Sequence, residues 1–212
     1  VEVGSDKKIS VFVGGAIGSA YAPVADIKTT GKVGVTCVDT LSKAASAGAS
    51  NHVFVGGAIG LVGGESVTRI YSAANVTVEA TGTVRAAGIC NTIPRSRLVA
   101  FTASVFDGSV NAKVKPSKVD ATAEMYAGKI CGDYADSSLP VMSNLYYLAN
   151  ATVIAKKGNS AADDATFTSV DANVVTGVEE QGTASEENWF KNTLGFGNIW
   201  SYVGGVPKLD IE

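Results

Sequence analysis

The sequence predicts an all-β chain folded as a right-handed, single-stranded parallel β-helix, a solenoid of about four to five rungs, and three observations carry that expectation. Val11-Phe12-Val13-Gly14-Gly15-Ala16-Ile17-Gly18 returns letter for letter as Val53-Phe54-Val55-Gly56-Gly57-Ala58-Ile59-Gly60, the mark of a structural unit stacked on its own copy. Four segments alternate small apolar with mostly polar residues, at Val33/Val35/Cys37, Val76/Val78/Ala80, Val110/Ala112/Val114 and Ala151/Val153/Ala155. Period two with one side inward is a strand signature. Finally, 46% of the 212 residues are apolar but only 8% aromatic, with 24 Gly and 5 Pro. Val, Ile and Ala must therefore fill the core at closely approaching backbones, which is strand material. An antiparallel sandwich also shows short alternating strands, but it has no reason to repeat an octapeptide.

Taken in order, Val1-Glu2-Val3 reads as a strand end, so the chain is expected to begin within a rung and to be a piece of something longer. The first unit, near 9–37, holds Val11–Gly18, then Asp26–Gly31, then Lys32–Cys37. The second, near 53–80, repeats this with Val53–Gly60, Val67–Tyr71 and Asn75–Ala80. A divergent third unit near 84–114 has Ala86-Ala87-Gly88 in place of the double Gly and Arg85 where an inward apolar residue is expected, for which a bulge is one remedy. The fourth lies near 124–156, and 157–184 is irregular. Stacked third strands predict two core ladders, Val33–Val76–Val110–Ala151 and Val35–Val78–Ala112–Val153. Loops at 38–52, 91–97, 115–123, 132–144 and 157–166 leave from corners without disturbing the strands, so the period can vary over roughly 30 to 43 residues.

The end of the chain reads as a cap on the last rung. Ser185-Glu186-Glu187-Asn188 suits a helix start, with a capping Ser and acids in the first turn. Trp189, Phe190, Leu194, Phe196, Ile199 and Trp200 follow, and a solenoid's terminal rung needs covering. Residues 1–184 and the cap 185–212 are expected to form one domain.

A net charge of -3, with 17% charged residues and no runs, gives no electrostatic case for nucleic acid or an anionic membrane. No apolar stretch is long enough to span a bilayer.

The pattern Val13-Gly14-Gly15-Ala16-Ile17-Gly18, then Ile27 and Thr30-Gly31-Lys32-Val33, resembles the Gly-rich GLUG-type repeat of bacterial surface proteins, and Val55–Gly60 with Ile70 and Val76 does so equally. Leu194-Gly195-Phe196-Gly197-Asn198-Ile199-Trp200 and Gly205-Val206-Pro207-Lys208-Leu209 look like the segment closing such arrays in secreted proteins of gut Bacteroidetes. The resemblance covers about residues 9–156 and 185–212. It implies a right-handed parallel β-helix outside the cell, adhesin-like, with no catalytic residues.

Candidate chemistry is sparse. Gly14, Gly15 and Gly18, with Gly56, Gly57 and Gly60, read as tight-packing positions of the repeat, because a phosphate-binding turn needs a helix opening at the last Gly and here Pro23 and a β-type run follow. His52, the single His, reads as a surface residue in a loop before a strand. The acid pairs Asp163-Asp164, Glu179-Glu180 and Glu186-Glu187 point apart on a strand and read as solvated. Cys37 reads as a small core residue. Cys90 and Cys131 fall at equivalent positions of successive units, either bridged or as buried free thiols. Tyr146-Tyr147 must place one ring on each face of a strand. No cofactor or metal is expected.

The functional expectation is a non-catalytic extracellular or cell-surface structural or binding module, adhesin-like, with a glycan or a host surface protein as its partner and the chain a monomer. Two alternatives stand beside it: a carbohydrate-active enzyme, a polysaccharide lyase or hydrolase using outward Arg69, Glu79 and Lys113, and a passive stalk. Variable chemistry rides on loops, which places contacts on the 91–97 and 132–144 side, at Arg95, Arg97 and Tyr134 beside Asp133 and Asp136.

Overall fold

The computed structural model describes residues 2–5, 10–39, 52–64, 66–92, 100–116, 123–132, 141–160, 166–169, 178–181, 187–204 and 206–210. The elements, in chain order, are β1 (Glu2–Ser5), β2 (Ser10–Gly14), β3 (Ile17–Ala20), β4 (Val24–Asp39), β5 (His52–Gly56), β6 (Ile59–Val62), β7 (Ser66–Thr81), β8 (Thr83–Ala87), β9 (Cys90–Thr92), β10 (Ala100–Phe106), β11 (Ser109–Lys115), β12 (Met125–Gly128), β13 (Val141–Leu148), β14 (Thr152–Gly158), β15 (Phe167–Ser169), β16 (Val178–Gln181), α1 (Glu187–Asn192), β17 (Trp200–Val203) and β18 (Val206–Leu209). The chain is all-β apart from that one short helix among the described residues.

Most strands pair in parallel. The octapeptide forms two strands rather than one, because each copy bends at its double glycine. Its first half builds the sheet β2-β5-β8-β12, with Val11, Val53, Val84 and Met125 in register. Its second half builds β3-β6-β9, extended by a bridge from Cys90 to Cys131. The largest sheet is centred on β7, which pairs with β4 along most of its length. β10, β13 and β16 continue one half of that sheet, and β11 and β14 the other. The chain thus visits three parallel sheets in the same order, and their inward Val, Ile, Ala and Cys residues meet in one core.

The glycines are explained by how closely the bends lie on one another. A Cβ on Gly15 would stand 2.3 Å from the Gly57 carbonyl oxygen, one on Gly57 2.1 Å from that of Gly88, and one on Gly88 2.0 Å from that of Lys129. No side chain fits at such separations. Gly14, Gly18, Gly56 and Gly60 also meet backbone at 3.1 Å or less.

Three expectations are corrected. Arg85 pairs with Phe54, not Val55, and the β5–β8 ladder runs from His52–Thr83 to Gly56–Ala87 without a break, so no bulge is needed there. The irregularity falls instead between β6 and β9. The fourth unit is shifted by two residues: Val110 pairs with Val153 and Ala112 with Ala155, giving ladders Val33–Val76–Val110–Val153 and Val35–Val78–Ala112–Ala155. A two-residue shift keeps every side chain on its face, and a turn in which Ala151 N–H donates to Leu148 C=O takes up the difference.

The third correction concerns the C-terminal segment. Phe190, Leu194, Phe196 and Trp200 form a second apolar cluster with Tyr71 of β7, Ala103 and Val105 of β10, and Leu148 of β13. The segment therefore lies across the flank of successive strands instead of covering the end of the stack. Ser185 and Glu186 lie outside the described residues. Within α1, Glu187 stands in the first turn and Lys191 in the last, paired with each other and matched to the helix dipole.

Candidate interaction surface

The large sheet has two outward flanks of opposite character. On the first, Asp26, Arg69, Ala103 and Asn144 lie in one column and all have positive φ, between 51° and 57°. Such a residue resets the alternation, so core residues fall three apart, at Val24 and Ile27 or Val67 and Ile70. The neighbouring outward column is Lys28, Tyr71, Val105 and Tyr146.

The aromatic segment covers this flank. Phe190 lies edge-on to Tyr71, Trp189 and Phe196, with Tyr202 tilted against it at 5.1 Å. Trp200 Nε1 donates to Asp26 Oδ1 at 2.9 Å. The Arg69 guanidinium holds the Asp26 carboxyl below the ordinary value of 3.8; burial opposes that shift and the Trp200 indole adds to it. Burial pushes the Tyr71 phenol upward, and its hydrogen bond to Asp107 works in the same direction. This flank is occupied by the chain itself.

The second flank carries no such cover among the described residues, although Phe167 of β15 reaches its edge, with the Lys113 ammonium 5.9 Å from the ring. Three outward columns run across β4, β7, β11 and β14: Lys32–Asn75–Ser109–Thr152, Gly34–Thr77–Asn111–Ile154 and Thr36–Glu79–Lys113–Lys156. Most of these residues are exposed. Ser109 Oγ donates to Asn75 Oδ1 at 2.8 Å, tying neighbouring strands together at the surface. Apart from Gly34 and the exposed Ile154, the result is an array of hydroxyl, amide and charged groups repeating at the parallel strand spacing of about 4.8 Å.

On a third face, the column Phe12–Phe54–Arg85–Tyr126 crosses the β2-β5-β8-β12 sheet. The Arg85 guanidinium lies 5.1 Å from the Phe54 ring and 4.9 Å from that of Tyr126, a sandwich of the cation–π kind. Arg85, read as a register problem in the sequence, is thus an outward residue between two rings.

Of the residues singled out in the sequence, Arg95, Arg97, Tyr134, Asp133, Asp136, Asp163 and Asp164 lie outside the described residues. His52 is the half-buried first residue of β5, not a loop residue. Tyr147 packs towards the main core and Tyr146 against Trp189, one ring on each face. Glu79 and Lys113 are register partners on the second flank, whereas Arg69 is held by Asp26 under the aromatic segment. The three do not come together. Cys90 and Cys131 are adjacent, buried and unbridged, and Cys37 is a buried residue of the main core. Burial pushes the Cys90 thiol up, and the neighbouring Cys131 adds to it.

Asn91 carried no signal in the sequence. It is fully buried at the irregular β6–β9 step, where its Nδ2 donates to the carbonyls of Val55 and Gly60 and its Oδ1 accepts from Gly132 N–H. Among the described residues, no group of three or more His, Cys, Asp or Glu is placed to hold a metal ion, and no helix is long and apolar enough to cross a membrane. No protein-family model, curated protein or solved structure matches the chain.

Proposed function

We propose that the chain is a right-handed parallel β-helix acting as a non-catalytic, adhesin-like binding module at the cell exterior, and that it binds through the flank of β4, β7, β11 and β14. The contrast between the two flanks carries this reading. One is covered by the chain's own aromatic segment, while the other presents Asn75, Thr77, Asn111 and Thr152 in exposed columns. A polar array carried on hydrogen-bonded strands suits an extended polar partner such as a glycan, because its backbone is ordered before binding and less ordering remains to be done. Right-handedness rests on the handedness of crossovers between parallel strands. The exterior location rests on the GLUG-type resemblance of the octapeptide, and Arg95, Arg97 and Tyr134 remain candidate secondary contacts.

Screening the purified chain against a glycan array and host matrix proteins tests the proposal. A ligand should be found, and the triple substitution Asn75→Ala, Thr77→Ala, Asn111→Ala should weaken it at least about tenfold without changing the melting temperature. Unchanged affinity would remove the flank from the account. Depolymerisation of a polysaccharide by the chain alone would favour the enzyme reading.

A further inference from the structure

The same eight residues occupy two places in the stack, and among the described residues only the second copy has a strand on both sides. In the second copy Val53, Val55, Ala58 and Ile59 have no exposed surface, because the first copy lies over them strand for strand. In the first copy Val11, Val13 and Ile17 pack against the same core but are only half-buried, and Ala16 is exposed. Among the described residues, β2 and β3 are the outermost strands of their sheets. Residues 10–20 include no charged residue and no proline, the usual guards of an open edge. Beside them, β1 already pairs in parallel with Thr36–Asp39 of β4, so this end of the stack takes an added strand.

The glycine column states what the added strand must be. At the second position of each bend, the missing Cβ points at the carbonyl of the next bend along the stack, from Gly15 to Gly57 to Gly88 to Lys129. A strand laid over Gly15 in the same geometry must carry glycine there, since a Cβ would meet the Gly15 carbonyl as closely as the 2.0–2.3 Å found within the chain. Lys129 ends the column at the opposite end, so that end of a second molecule fails the requirement.

We infer that the open edge of β2 and β3 is a strand-acceptor site. Its occupant is an extended, uncharged partner segment with the chemistry of the octapeptide itself, apolar at two alternate inward positions and followed by two consecutive glycines, added in parallel. Main-chain hydrogen bonds supply the affinity, and the glycine requirement supplies the selectivity.

The probe is a fluorescent peptide with the sequence of residues 52–61 between solubilising lysines, titrated against the whole chain. Saturable binding should slow amide exchange at residues 10–20, and replacing the second glycine of the peptide by alanine should weaken binding at least about tenfold. Equal binding of both peptides, no binding, or exchange that does not slow at β2 and β3 overturns the inference. So does self-association of the chain through this edge, which would make a second copy the occupant. A covalent version duplicates residues 10–51 in front of Ser10. The original Ser10–Ala20 amides should become protected, but not when the added second glycine is alanine, and unchanged protection counts against the site.

Discussion

Arg69 grips Asp26 with both sides of its guanidinium, Nε to Oδ1 at 2.7 Å and Nη2 to Oδ2 at 2.6 Å, across adjacent strands where both residues have positive φ. Trp200 shares the same carboxylate, so the pair fastens the aromatic segment to the flank. The side chains keep 31% and 21% of their exposure, and solvent screening limits the pair to about 1 kcal/mol.

Asp26→Asn should therefore lower stability by about that amount at neutral pH. The folded carboxyl titrates below its ordinary value of 3.8, so its stabilisation is complete above that value and is lost as pH falls through the lower folded value. Melting curves of the two proteins against pH should converge in that acid range. A gap that stays constant there would contradict the assignment.

Removal of the Trp200 ring should cost more, because it is buried against Phe196 at 4.6 Å and also donates to Asp26. Trp200→Ala is expected to destabilise by about 3–5 kcal/mol, read by denaturant unfolding. Deleting residues 187–212 should expose Tyr71, Val105 and Leu148 and raise binding of an apolar dye. An unchanged melting curve would mean the segment is not fastened.

Two glycine substitutions separate close packing from backbone freedom. Gly57→Ala puts a Cβ 2.1 Å from a carbonyl oxygen, whereas nothing lies within 4 Å of the Cβ built on Gly34. The first should cost about 1–3 kcal/mol or more, and Gly34→Ala should be neutral or slightly stabilising. Similar effects at both positions would contradict the stacked bends.

Asn91→Leu removes the partner of two buried carbonyls and one N–H. Groups left buried and unsatisfied cost about 1–3 kcal/mol each, so unfolding measurements should show one of the larger single losses outside the aromatic cluster. A loss under about 0.5 kcal/mol, the range of ordinary surface changes, would mean that these groups find other partners.

Alternation and repetition made the strands and the inward set legible, down to the opposite faces of Tyr146 and Tyr147. The slip of the fourth unit was hidden for a physical reason: a shift of two leaves the in–out pattern of Ala151, Val153 and Ala155 unchanged. The positive-φ column was equally hidden, since Asp26 and Asn144 favour that conformation but Arg69 and Ala103 do not announce it. The excess of apolar residues after Trp189 showed that something is covered there, but a sequence pattern cannot tell the end of a stack from its side. The polar flank was visible only as alternation, and became a surface once register placed Asn75, Ser109 and Thr152 in one column.

Parallel stacking in the observed register is the claim on which the flank, the glycine column and the strand-acceptor edge all depend. Methyl–methyl contacts measured by NMR on the Val- and Ala-labelled chain test it most directly. The account predicts a continuous series from Val33 to Val76 to Val110 to Val153, with Ala112 against Val78 and Ala155. Contacts joining Val110 to Ala151 in place of Val153, or a series that does not link these strands at all, would contradict it.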